Sequence, residues 1–146
     1  MYTETKTLSN GVEMPMFGLG TWQIANEEAY RVVSEALSLG YRAVDTAAGY
    51  QNEEGVGRAV RGSGAAREKI FLTSKLAAET KGYQETLDAF EQTRAALGVD
   101  YLDYYWLHSL TKGSFELSER IHAFEFVQQK QKEGKVRHSG FSFHDK

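Results

Sequence analysis

An α/β fold built on a parallel sheet is the architecture this sequence predicts. Five short runs rich in strand-forming residues recur along the 146 residues: "FGLGT" from Phe17, "YRAVDT" from Tyr41, "IFLTSKL" from Ile70, "LDYYWLH" from Leu102 and "VRHSGFS" from Val136. The gaps between them carry apolar residues at helical spacing. Strand and helix in alternation imply right-handed crossovers and parallel strands. The runs begin 24, 29, 32 and 34 residues apart. That spacing matches the ~31 residues per unit of a (β/α)₈ barrel, in which about 250 residues make eight units. A doubly wound nucleotide-binding sheet would show a complete glycine fingerprint after its first strand. Gly18-Leu19-Gly20 begins one, but Gln23 stands where the last glycine belongs. The expectation is therefore a partial TIM (β/α)₈ barrel in one domain over residues 1–146: an N-terminal β-hairpin, then about five parallel strand/helix units.

Each element has its own signal. In "KTLSNGVEMP" the Asn10-Gly11 dipeptide marks a hairpin. Asn26 is expected to cap a helix carrying Ala29, Val33, Ala36 and Leu37, with Gly40 just beyond it. Asn52 is expected to cap a shorter one whose Glu53 and Glu54 suit a helix N-terminus. Leu87, Phe90, Arg94 and Leu97 keep helical spacing up to Gly98. Leu117, Ile121, Phe124 and Val127 predict one helix ending before Gly134.

Composition narrows the function classes. A net charge of −3 with no long Lys/Arg cluster argues against nucleic acid as a partner. The absence of cysteine excludes disulfides, zinc thiolate sites and thiol catalysis, and fits a reducing, cytoplasmic setting. No apolar run reaches 18 residues and the N-terminus lacks a signal-peptide apolar region, so no membrane is expected.

The strand ends carry the chemistry. The first run ends near Thr21 and Trp22, the second at Asp45, the third near Lys75, the fourth at His108 and the fifth at Ser142. In barrel enzymes the carboxyl ends of the strands build the active site. An Asp, a Lys and a His at the same end of three consecutive parallel strands would converge. Tyr50 lies in the loop after Asp45, where it can fold back over those ends. A phenol titrates near pH ~10. A neighbouring ammonium favours its phenolate, and Lys75, held by Asp45, could supply one. The set then makes a proton donor for a developing alkoxide.

The stretches "GLGTWQ", "DTAAGYQNEEGVGRAV", "FLTSKL" and "LDYYWLH" resemble the aldo-keto reductase family in type, order and spacing. The resemblance spans essentially the whole chain. It implies reduction of an aldehyde or ketone with hydride from NADPH. Tyr50 would be the general acid, tuned by Lys75 and Asp45, and His108 would orient the carbonyl. Trp22, Tyr50 and His108 would contact substrate. Thr21, Asp45 and Ser142 would lie on the nicotinamide side of the cofactor. The family usually has Ser-Asn where Ser142-Phe143 stands, and an aromatic-proline pair where Ser109-Leu110 follows His108. The chain stops at "FHDK", where a fifth helix is expected, so a truncated or recombined product is one expectation. The alternative to the enzyme is a catalytically silent partial barrel that self-associates, most simply as a homodimer, through open edges carrying Phe141 and Phe143.

Other conspicuous residues have bland readings. His138 is read as a surface histidine and His122 as a solvated mid-helix residue. His144 and Asp145 are too few ligands for a metal site, and Asp145 is read as the cap of a following helix. Tyr101, Tyr104 and Tyr105 are read as packing residues of the fourth run.

Overall fold

The computed structural model describes residues 4–77, 80, 82–143 and 145. The hairpin forms where Asn10-Gly11 predicts it. Strands β1 (Thr5–Thr7) and β2 (Glu13–Pro15) pair antiparallel. Gly11 takes φ 81° in the turn, a conformation that suits glycine.

The five runs become one parallel sheet of β3 (Gly18–Gly20), β4 (Ala43–Asp45), β5 (Phe71–Leu76), β6 (Leu102–Leu110) and β7 (Val136–Phe143). They lie side by side in chain order. Helix α1 (Asn26–Ser38) follows β3, α2 (Glu53–Gly62) follows β4 and α3 (Tyr83–Leu97) follows β5. This is the arrangement of a partial (β/α)₈ barrel preceded by a hairpin. Strand alternation separates two faces. Leu72, Ser74 and Leu76 of β5 are buried on the helix side, in a core with Val33, Val56, Phe90, Leu97, Tyr105 and Phe126. Each large side chain buried there contributes roughly 1.5–3 kcal/mol relative to exposure. The alternate positions, Phe71, Thr73 and Lys75, face the other way.

Several helical details differ from the expectations. The segment after β6 is two helices, α4 (Lys112–Arg120) and α5 (Ala123–Lys132). His122 sits in the left-handed region between them (φ 57°), so it is at a helix break rather than mid-helix; it is solvated as expected. Thr111 and Ser114 form a reciprocal cap at the start of α4. Asp145 also serves this helix: its carboxylate accepts the Lys112 N–H at 2.5 Å. His144 lies outside the described residues.

The expected caps of α1 and α2 differ as well. Asn26 is the first residue of α1 and does not cap it; its side-chain oxygen accepts the Gly55 N–H in the first turn of α2, at 2.9 Å. Asn52 occupies the position before α2 but makes no capping bond. Close approach on two sides of α2, to α1 and to α3, explains two of its glycines. A Cβ at Gly55 would lie 2.9 Å from Ala29 Cβ, and one at Gly57 would lie 2.5 Å from Leu97 Cα.

His138 is half-buried on the inner face of the sheet, not at the surface, with its ring 5.2 Å from that of Tyr104. Register decides this, because His138 pairs with Tyr104 and shares its face. Tyr104 and Tyr105 pack within β6 as expected. Tyr101 lies between the Arg67 and Arg137 guanidiniums, 4.2 and 4.0 Å from its ring centre.

Candidate active site

Parallel register brings the ends of β4, β5 and β6 together. Asp45 pairs with Thr73, and Lys75, two residues further along β5, pairs with Trp106. Lys75 is 95% buried at its side chain, whereas the Asp45 side chain is 41% exposed. The ammonium reaches three acceptors: Asp45 Oδ2 at 2.7 Å, the Thr46 carbonyl at 2.9 Å and the Tyr50 phenol oxygen at 3.3 Å. An ammonium has three protons, so this buried cation is fully satisfied.

Tyr50 closes a short 3₁₀ turn, Ala48–Tyr50, directly after β4. Gln51 ends the turn in the left-handed region (φ 57°), and the phenol lies over the strand ends, within reach of Lys75. Because the phenol oxygen accepts from Lys75, its own proton is directed elsewhere. His108 stands beside it, the two rings edge to face with centroids 5.5 Å apart. The structure thus brings Asp45, Tyr50, Lys75 and His108 together at one end of the sheet.

The remaining sequence-predicted residues lie around this group. Trp22 is 69% exposed on the turn after β3. Thr21 is fully buried, and its hydroxyl donates to the Asp45 carbonyl at 3.1 Å. Ser142, in β7, accepts the Ser109 N–H at 2.7 Å. Ser109 adopts φ 52° where the β6–β7 register shifts, immediately after His108.

Sequence reasoning missed the fixings beneath these groups. Asn52 is fully buried. Its amide donates to the Thr21 and Ile24 carbonyls, both at 2.8 Å, and its oxygen accepts the Thr46 hydroxyl at 2.8 Å. It therefore clamps the turn bearing Trp22 to the loop bearing Tyr50. Glu53, read as a helix N-terminal acid, is buried beneath the same loop. An Asn or a Glu before an apolar helical pattern looks like a cap in sequence, and only the packing of neighbouring units reveals otherwise.

The family model for the aldo/keto reductase family matches residues 14–146. The chain belongs to the aldo/keto reductase family. Among its relatives, the glyoxal reductase of Bacillus subtilis (strain 168) is 45% identical over 140 residues, which cover 95% of this chain and 49% of that protein. An aldo/keto reductase crystal structure from Brucella melitensis superposes with a TM-score of 0.84 at 44% identity, covering 97% of this chain and 54% of the other. A Bombyx mori aldo-keto reductase solved in complex with NADP gives a TM-score of 0.79 at 26% identity, over 97% of this chain and 50% of that one. The chain spans about half the length of the relatives it matches.

Among the described residues, no group of three or more His, Asp or Glu side chains is placed to hold a metal ion. No described helix is long and apolar enough to cross a membrane.

Proposed function

We propose that this aldo/keto reductase chain reduces small aldehydes or ketones, with Tyr50 as the proton donor and NADPH as the reductant. The observation that carries the reading is the three-way placement of the Lys75 ammonium, on Asp45, on the Thr46 carbonyl and on the Tyr50 oxygen. The group beside it suits a nicotinamide. Ser142 accepts one hydrogen bond from Ser109, which leaves its hydroxyl proton free for a carboxamide oxygen. The half-exposed Asp45 carboxylate is open to a ligand, and the Thr21 hydroxyl holds the Asp45 backbone carbonyl. When bound, NADPH supplies the hydride that goes to the carbonyl carbon.

The chain's own residues handle the oxygen. The carbonyl oxygen sits against the Tyr50 hydroxyl and the His108 ring, which fix its direction. As negative charge builds on that oxygen, Tyr50 delivers its proton and an alcohol results. The charge left on the phenol oxygen is stabilised by the Lys75 ammonium, which Asp45 and Thr46 hold in place. Tyr50 is then reprotonated from water. Exposed Trp22 forms a wall for the organic part of the substrate. The relative named glyoxal reductase makes glyoxal the first substrate to try.

Tyr50→Phe tests the reading. It removes the donor and leaves the ring, so NADPH-linked carbonyl reduction should fall by the ~10²–10⁴-fold expected for loss of general acid catalysis. Undiminished turnover would refute the assignment. Phe141 and Phe143 on the outermost strand, 53% and 51% exposed, favour a second reading in which this half of the fold self-associates without turning over substrate. Light scattering on the same samples separates the two: a dimer or larger species with no turnover supports the second.

A further inference from the structure

The proton-handling group rests on a buried carboxylate that contacts none of its members. Glu53 begins α2, three residues after Tyr50. Its neighbour Glu54 is exposed as expected of a helix N-terminal acid, but Glu53 is 8% exposed and points between β5 and α3. One carboxylate oxygen accepts the Ser74 hydroxyl at 2.5 Å, and the other accepts the Thr93 hydroxyl at 3.2 Å. Burial holds the Glu53 carboxyl above its ordinary titration range, although these two bonds favour the ionised form. The buried Tyr105 phenol is pushed above its ordinary range by burial and by the Glu53 charge.

The location of these partners matters more than their number. Ser74 directly precedes Lys75 and projects to the helix side of β5 while Lys75 projects to the other. Tyr105 lies on β6, three residues before His108. A single side chain thus joins the segment bearing Tyr50 to the strand bearing Lys75, and its charge reaches Tyr105 on the strand bearing His108. Asn52, its neighbour in sequence, fixes the same segment toward β3 and β4 by separate bonds to Thr21, Ile24 and Thr46. A carboxylate buried in an apolar core costs stability that an apolar side chain would not. Core packing alone therefore does not account for its presence.

We propose that Glu53 is a positioning residue: its bond to Ser74 sets the spacing between the Tyr50 oxygen and the Lys75 ammonium. The contact it would govern is 3.3 Å long. A displacement of ~1 Å in reacting groups can cost about 10²-fold in rate. The inference rests on the proposed pairing of Tyr50 with Lys75, but the spacing can be read without turnover.

The test uses ¹³C-tyrosine-labelled protein, with the Tyr50 ring signal assigned by its loss in Tyr50→Phe. The ring carbon bearing the hydroxyl reports the hydrogen bonding at that oxygen. Glu53→Ala and Ser74→Ala should each displace this signal, while the signal of Tyr101, held between Arg67 and Arg137, stays in place and shows that the fold persists. Glu53→Gln keeps an acceptor for Ser74 and a donor for Thr93, so it should leave the Tyr50 signal near its original position. Should Glu53→Ala fail to fold, Ser74→Ala, which removes only one bond of the bridge, decides the matter. A Tyr50 signal unmoved in a folded Ser74→Ala or Glu53→Ala protein would overturn the proposal. So would a Glu53→Gln signal displaced as far as that of Glu53→Ala. In a preparation that reduces glyoxal, kcat should fall about 10-fold or more in Glu53→Ala with the KM for NADPH little changed. If the parent protein turns over no carbonyl, the proposed function fails, and the Tyr50 signal still decides the role of Glu53.

Discussion

Asp45→Ala and Lys75→Met delete the same ion pair from opposite ends, and the burial of the two partners makes their effects unequal. Lys75 is 5% exposed at its side chain and Asp45 41%. Asp45→Ala leaves a buried ammonium with only the Thr46 carbonyl and the Tyr50 oxygen as acceptors. Stranding one partner of a fully buried pair costs roughly 3–5 kcal/mol. Here the missing partner was itself nearly half in water, which screens the pair and reduces the loss to about 2 kcal/mol. Lys75→Met strands a carboxylate that water already reaches. Methionine is a flexible apolar chain that can fill the lysine stem's path. The desolvation penalty of the ammonium disappears with it, so the net change should stay within about 1 kcal/mol. Urea unfolding followed by tryptophan fluorescence reads both variants. At a typical slope of ~1–3 kcal/mol per M, Asp45→Ala should lower the midpoint by roughly 1 M and Lys75→Met by half that or less. Both variants should lose most carbonyl reduction, so stability and turnover separate. A Lys75→Met protein destabilised as much as Asp45→Ala would refute the reasoning, because the cost would then not track the buried charge.

Two further outcomes follow from the packing of α2. Gly57→Ala and Gly62→Ala place the same methyl in the same helix, and each gains roughly 0.5–1 kcal/mol from the lost freedom of glycine. Nothing lies within 4 Å of a Cβ at Gly62, whereas one at Gly57 runs into the Leu97 backbone. Thermal unfolding should therefore show Gly62→Ala stabilised and Gly57→Ala destabilised, since overpacking costs about 1–3 kcal/mol; equal stabilities would contradict the close approach of α2 and α3. Glu53→Gln should change the pH dependence of stability. The Glu53 carboxyl titrates higher in the folded protein than its ordinary value of 4.5. Between those two values the folded state holds the extra proton, so parent stability falls as pH rises through that window. Thermal melts should show Glu53→Gln gaining on the parent across the window and then holding a constant advantage; a gap that shrinks as pH rises would contradict the direction of the shift.

Much of this arrangement can be read from residue order. The five strand runs, the hairpin at Asn10-Gly11 and the convergence of Asp45, Lys75 and His108 all follow from local propensity and from the rule that parallel strands share a carboxyl end. What stays hidden depends on contacts between units. Asn26 and Asn52 carry the same cap signal, yet one caps the neighbouring helix and the other caps none, because α1 and α2 pack closely enough for Asn26 to reach the Gly55 N–H while Asn52 turns to the Thr21 and Ile24 carbonyls. Glu53 and Glu54 are indistinguishable by type, and the helix phase alone puts one against β5 and the other in solvent. The break at His122 is invisible to apolar spacing, since Leu117, Ile121, Phe124 and Val127 fit an unbroken helix equally well. Gly55 and Gly57, placed inside a helical pattern, sit where another backbone lies close.

Strand order and chain order coincide throughout the sheet, and this bears on how such a protein can change over generations. Each strand meets only its predecessor and successor in sequence. The segment from Asp45 to His108 therefore contains every group of the proposed proton relay, contributed by three consecutive units. A crossover in the gene downstream of His108 would exchange later loops while leaving the relay's internal geometry untouched. A crossover between Glu53 and Ser74 would have to match the bridge that joins them, and one between Thr21 and Asn52 would have to match that clamp. Inheritance of this chemistry is thus modular along the chain, with a safe seam lying downstream of one contiguous block.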